Sequence, residues 1–170
     1  MTRRDDPRLT TWGLLAEVFI GVGRKLEEQA AQYDLKPLEV EVVMRLGRTP
    51  GNRLRMSDLA AQAHITTSGI TRIVDRLEMD GLVRRVACAT DRRGSFAELT
   101  EAGQARLDAL LPGHLEVLED WFYGRLPAER RGELEVSLRT LRDAVRPDAT
   151  AGAEGVVDQH PDGHPAPDRH

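Results

Sequence analysis

The stretch ITTSGITRIVDRLEMDGLVRRVACATDRRGSFAELTEAG, residues 65–103, decides the fold. Threonines precede an amphipathic helix, and Gly81 is suited to end that helix in a left-handed C-terminal cap. Two short runs that favour strands, residues 82–87 and 95–99, follow on either side of a polar loop, which is typical of a β-hairpin. Thr100 then caps another helix. A short helix predicted over residues 58–63 and a turn over residues 64–66 come before the amphipathic helix. The order helix, turn, helix, hairpin therefore predicts a winged helix-turn-helix.

The predicted second helix of this motif, over residues 67–80, has two faces. Apolar residues at spacings of three and four hold one face to the core, namely Ile70, Ile73, Val74 and Leu77. Small hydroxyl residues at the other face let the helix approach a DNA major groove, where hydroxyls and free N–H groups bind phosphate. Arg72 is placed to reach a base edge, with guanine the usual target, and Arg76 a base or the backbone. The predicted DNA-binding residues are Thr66, Thr67, Ser68, Thr71, Arg72, Arg76, Arg92 and Arg93, of which Thr66 or Thr67 also caps the helix.

The loop of the hairpin is the predicted wing. Arg92 and Arg93 sit at its tip, where arginine enters a narrow minor groove. Asp91 would repel phosphate if it were free, so we expect it to pair with an arginine and shape the wing. Alternation along the strand allows at most one of Arg84 and Arg85 to face DNA, and Arg53 and Arg55 are weaker candidates for backbone contacts.

The flanking sequence is helical. Periodic apolar residues predict helices over residues 8–33, 38 to about 47, 58–63 with Ser57 as N-cap, 101 to about 124 with a kink at Pro112, and 127–145. The predicted fold is mainly α with a small β-hairpin wing. Residues 8–36 and 101–146 form a helical dimerisation domain and residues 37–100 the winged domain. Residues 147–170 lack periodicity and are expected to form a disordered tail rich in acidic residues, histidine and proline.

The net charge of −4 does not argue against DNA binding, because the charge is unevenly distributed. Residues 147–170 contain five acidic residues and one arginine, a net of −4. Residues 53–93 contain eight arginines and five acidic residues, a net of +3. The acidic surplus therefore lies in the tail, and the predicted winged domain is basic.

Several classes of protein are disfavoured. No apolar run approaches the ~18 residues of a membrane span, and the N-terminus does not resemble a secretory signal, so a cytoplasmic protein is expected. Cys88 is the single cysteine, which excludes an internal disulfide and a cysteine-based zinc site, and a redox role for it is disfavoured. No catalytic triad order, phosphate loop or metal-ligand spacing is present, so neither an enzyme nor a cofactor is expected.

Residues 65–103 resemble the central signature of the MarR family of transcriptional regulators. The matching features are Leu77, the run of residues 81–83, the Asp91-x-Arg93 wing motif and Leu99-Thr100-x-x-Gly103. The resemblance extends over about residues 9–145. It implies a homodimer whose winged domains bind a pseudo-palindromic duplex and act most often as a repressor of a nearby gene. It also implies that Asp91 and Arg93 pair, leaving Arg92 as the stronger groove candidate.

The resemblance also implies an effector site. In this family, small aromatic or lipophilic ligands relieve repression by binding where the dimerisation helices meet the winged domain. Trp12, Tyr33 and His114 are the candidate pocket residues, although ordinary interface packing is the favoured interpretation of each. Leucine stripes on the last two predicted helices exceed what a small winged domain buries and indicate a partner. The alternative is a winged-helix protein–protein module that does not bind DNA. Such a module would be expected to lose the exposed basic positions, whereas this chain keeps Arg72, Arg76, Arg92 and Arg93.

Overall fold

The computed structural model describes residues 5–87 and 94–146. The described helices are α1 (Pro7–Ala31), α2 (Pro37–Gly47), α3 (Met56–Ala63), α4 (Thr67–Met79), α5 (Glu101–Trp121) and α6 (Ala128–Val145). The described strands are β1 (Arg53–Arg55), β2 (Val83–Ala87) and β3 (Ser95–Leu99). This arrangement confirms the predicted mainly α fold with a small antiparallel sheet next to a helix-turn-helix.

The sheet has three strands in the order β1-β3-β2, all antiparallel. The hairpin of β2 and β3 was expected from the sequence, but β1 was not. It pairs Leu54 with Ala97 of β3, and both side chains are buried. A segment of three residues is too short to show strand periodicity, so the partner strand β3 decides its conformation.

Two predicted helix boundaries are wrong. α3 begins at Met56, directly after β1, so Ser57 lies in its first turn and bonds Asp58 instead of acting as the N-cap. α5 ends at Trp121 and not near Gly124, because Phe122 leaves helical geometry and a 3-10 turn follows over Tyr123–Arg125. At both boundaries an adjacent element changes the direction of the chain within one turn, β1 before α3 and the 3-10 turn after α5.

The core lies mainly within residues 37–100, the predicted winged domain. Its largest fully buried side chains are Leu46, Leu54, Leu59, Ile70, Leu77, Leu110, Val42, Val43, Val74 and Val83. Most of them belong to α2, α4 and the strands, and α3 and α5 contribute one each. By contrast, α1 buries only Gln29 and Ala30, and α6 buries no residue. The two terminal helices therefore add little to the core within one chain.

The C-terminal end of α1 is attached to the middle of α5. Gln29 Nε2 donates to the Leu110 carbonyl at 3.1 Å. A Cβ on Gly113 would lie 2.8 Å from the same Nε2, so a larger residue there would displace the Gln29 amide. Among the described residues, no helix combines the length and the apolar character that a membrane crossing requires.

Candidate DNA-binding surface

The turn between α3 and α4 sets the start of the predicted recognition helix. His64 adopts a left-handed conformation with a φ of 53° and ends α3. Thr66 then caps α4, because its Oγ1 accepts from the Gly69 amide at 3.2 Å. A Cβ on Gly69 would lie 2.5 Å from Ile65 Cγ2, so the tight turn requires glycine there. These contacts leave the hydroxyl-rich N-terminus of α4 exposed.

α4 has an apolar face and an opposite, exposed face, as predicted. Ile70, Val74 and Leu77 are buried, and Ile73 packs against them. At 3.6 residues per turn, Ser68, Arg72 and Met79 lie on the opposite side, and all three are exposed. The Thr71 hydroxyl lies at one flank and donates to the Thr67 carbonyl at 2.8 Å.

Arg72 is at the centre of this exposed face. Its guanidinium makes no hydrogen bond or ion pair with residues 5–87 or 94–146. The side chain is therefore available for an external acceptor without breaking an interaction to another described residue. A guanine edge or a phosphate has the planar acceptor geometry that arginine binds best.

Arg76 has a different environment from Arg72. Its Nε lies 3.1 Å from Glu39 Oε1 on α2 and 3.8 Å from Asp80 Oδ2 on α4. Glu39 is a buried charged residue with only 3% of its surface exposed. One of the predicted DNA-contacting arginines therefore faces an internal carboxylate.

The flank of α4 that carries Thr71, opposite to that of Arg76, is tied to β2 through Arg85. The Arg85 guanidinium lies 2.6 Å from Asp75 and 2.7 Å from Glu78, and it also donates to the Thr71 carbonyl at 3.3 Å. The Arg85 amide donates to Glu78 Oε1 at 3.0 Å. Arg85 is consequently a link between the hairpin and the recognition helix, which sequence alternation alone did not indicate.

The remaining arginines near the sheet contact other side chains. Arg84 forms an ion pair with Glu98 on the neighbouring strand β3. The guanidinium carbons of Arg53 and Arg55 lie 5.1 Å and 5.4 Å from the centre of the Phe96 ring, within the range of a cation–π contact. These three arginines therefore have contacts inside the sheet.

Comparison with known proteins identifies the family. Residues 33–94 match a model of the MarR family. The transcriptional regulator HosA of Escherichia coli O157:H7 is 35% identical over 105 residues, which are 62% of this chain and 75% of HosA. The chain belongs to the MarR family.

Two further relatives agree with this family assignment. The repressor YetL of Bacillus subtilis is 35% identical over 89 residues, so the match spans about half of each protein, 52% of this chain and 53% of YetL. A MarR regulator from Streptomyces coelicolor, solved in complex with DNA, is 30% identical and has a TM-score of 0.78. That match covers 86% of this chain and 94% of the solved one.

Some predicted MarR features lie outside the described residues. The wing residues Asp91, Arg92 and Arg93, the thiol of Cys88, and the tail after residue 146 belong to this group. β2 and β3 are the strands that enter and leave the wing. The roles of the wing residues therefore stay predictions from the sequence.

The three candidate pocket residues do not come together in one chain. Tyr33 lines a cleft of about 350 Å³ between the C-terminal part of α1 and α5, and neither Trp12 nor His114 borders it. Trp12 is 70% exposed in the N-terminal part of α1, some 30 Å along the helix from Tyr33. His114 is half-buried on α5, where burial lowers its pKa from 6.5.

Proposed function

We propose that this MarR family protein is a sequence-specific regulator of transcription that binds duplex DNA through α4. The observation that carries the proposal is the exposed face of α4, where Arg72 has no partner among the described residues while its neighbours are engaged. Thr67, Ser68 and Thr71 supply hydroxyls beside the free N–H groups of the helix start, which suits phosphate binding. The DNA complex of the Streptomyces relative supports the same use of the fold.

The proposed working form is a homodimer. Large apolar side chains are exposed on the terminal helices, chiefly Leu9, Trp12, Leu14, Leu15, Val18, Phe19 and Ile20 on α1 and Val136, Leu138, Leu141 and Val145 on α6. Exposed large apolar side chains in this number are normally covered by a partner. A twofold dimer places two α4 helices in successive major grooves, so the operator is a pseudo-palindrome with half-sites about 10 bp apart.

Two finer features belong to the proposal. Repression of a nearby gene is the regulatory role most often associated with this family. Because a repressor must reach the DNA, we place the protein in the cytoplasm. A small aromatic or lipophilic effector suits the cleft of about 640 Å³ bordered by Phe19, Phe122, Tyr123, Leu134 and Leu138 better than the cleft beside Tyr33, whose lining is mostly polar and charged. Trp12 contributes to an effector site only if a second copy brings it there.

Selection from a randomised duplex pool tests the proposal. The wild-type protein should enrich a pseudo-palindrome, and Arg72→Ala should bind it more weakly by about 1–3 kcal/mol with a relaxed preference at one base pair. Arg130→Ala, which changes an exposed arginine on α6, is the matched control and should bind as wild type does. If no duplex is enriched, the winged domain is a protein–protein module instead. If a duplex is enriched but Arg72→Ala keeps its affinity and preference, the assignment of α4 as the recognition helix is wrong.

A further inference from the structure

We propose that Glu39 is a positioning residue for the recognition helix. It holds Arg76 in an internal ion pair and thereby sets the orientation in which α4 presents Arg72 to DNA. In this arrangement Arg76 orients the helix and does not contact DNA itself. The inference rests on the proposed DNA-binding function and deepens it.

The Glu39 carboxylate is fully engaged. It lies in the first turn of α2, where Oε2 accepts from the Lys36 amide at 2.8 Å and closes the N-terminal turn of that helix. Oε1 faces Arg76 Nε at 3.1 Å. The Glu39 side chain is 5% exposed and that of Arg76 is 46% exposed, so the pair spans the boundary between core and surface.

Breaking the ion pair between Glu39 and Arg76 costs more free energy than moving the unpaired Arg72 side chain. If Arg76 turned to a phosphate, the buried Glu39 carboxylate would keep the Lys36 amide and lose its charged partner, which is strongly unfavourable. Asp80, half-exposed at the end of α4 and 3.8 Å from Arg76 Nε, adds a second negative charge beside the guanidinium. Arg72 has no such tie among the described residues, so the two arginines are suited to different tasks.

The pair also provides the directional restraint that apolar packing lacks. Buried contacts such as those of Ile70 and Val74 hold α4 against the core without specifying its rotation closely, because the hydrophobic effect is not directional. A charge-assisted hydrogen bond does specify orientation. At one flank of the exposed face, Arg76 of α4 bonds Glu39 of α2. At the other flank, Asp75 and Glu78 of α4 bond Arg85 of β2. Arg72 lies between these two attachments.

A double-mutant cycle on DNA affinity tests the proposal. The probe is a fluorescein-labelled duplex that the wild-type protein selects from a randomised pool, titrated at several salt concentrations. Glu39→Gln and Arg76→Gln should each raise Kd about tenfold, and the double variant should also bind about tenfold more weakly, because both changes remove the same pair. The slope of log Kd against log salt should match wild type in all three, since no phosphate contact is lost.

Other results would overturn the assignment. A salt slope smaller by about one for Arg76→Gln would show that Arg76 neutralises phosphate. Unchanged or tighter binding by Glu39→Gln, or additive losses in the double variant, would show that the pair does not orient α4. Melting curves check folding, and if Arg76→Gln unfolds, Arg76→Lys replaces it and should retain most of the affinity because the ion pair persists.

Two controls separate this inference from the proposed function. Arg72→Ala must lose affinity and Arg130→Ala must keep it on the same duplex. If Arg72→Ala also binds as wild type does, the DNA-binding role of α4 has failed. If Arg72→Ala loses affinity and Glu39→Gln does not, only the positioning role of Glu39 is refuted.

Discussion

His114 is a residue whose surroundings give the protein a pH-dependent stability. Its ring is half-buried on α5, and Nδ1 has no hydrogen-bond partner among the described residues. Burial disfavours the charged imidazolium, so the folded-state pKa lies below the ordinary value of 6.5. As the pH falls below 6.5, the unfolded chain takes up the proton more readily than the folded one, and the folded state loses stability.

We therefore expect the free energy of unfolding to fall more steeply with acidification in wild type than in His114→Gln. Urea unfolding at pH values above and below 6.5 measures both. Above 6.5 the difference between the two proteins should be constant, and below it the difference should shift in favour of the variant. A difference that does not change with pH would show that His114 is not responsible.

At the scale of single elements, the hairpin and α5 are joined by one close backbone approach. Thr100 caps α5 by accepting from the Gly103 amide at 3.0 Å, and its hydroxyl contacts the Gly81 carbonyl at 2.7 Å. A Cβ on Gly103 would lie 2.0 Å from the Leu82 carbonyl oxygen. The MarR-like spacing from Thr100 to Gly103 thus has a structural cause, because the first turn of α5 packs directly against the backbone of Gly81 and Leu82, which follow α4.

Gly103→Ala should lower the free energy of unfolding by about 1–3 kcal/mol, since the backbone of Leu82 must move. Gly132→Ala, on α6, meets nothing within 4 Å and should raise it by about 0.5–1 kcal/mol through helix propensity alone. Thermal or urea unfolding of the two variants compares them directly. Equal stability of Gly103→Ala and wild type would contradict the close approach.

At the scale of the whole molecule, the exposed apolar surface of α1 is the feature that a single chain does not explain. Phe19 is 78% exposed and lies on α1 with six other exposed large apolar residues. Placing a charge there should prevent the proposed dimer, because a twofold interface repeats each substitution. Leu38, an exposed apolar residue on α2, offers a matched position outside that surface.

Phe19→Asp should raise the dimer dissociation constant at least about a hundredfold, from the lost burial of two phenylalanine side chains. Sedimentation velocity over a concentration series measures it, and affinity for the palindromic duplex should fall in parallel. Leu38→Asp should remain dimeric. A Phe19→Asp protein that sediments as wild type does would show that α1 does not form the interface.

The local sequence was sufficient for most of the fold. Helix periodicity, the threonine caps and the left-handed Gly81 act over a few residues, so they predicted α4, the hairpin strands and the start of α5 correctly. β1 escaped prediction because its conformation comes from pairing with β3, far along the chain. Ser57 was misassigned for the same reason, since β1 ends immediately before α3.

The candidate site divides in the same way. The exposed position of Arg72 opposite the core follows from helix geometry and the apolar pattern, both of which can be read from the chain. The different environment of Arg76 cannot be read there, because its partner Glu39 lies on another helix and only packing brings the two charges to 3.1 Å. Periodicity therefore identified the face of α4, and tertiary contacts decided which of its arginines is ion-paired within the chain.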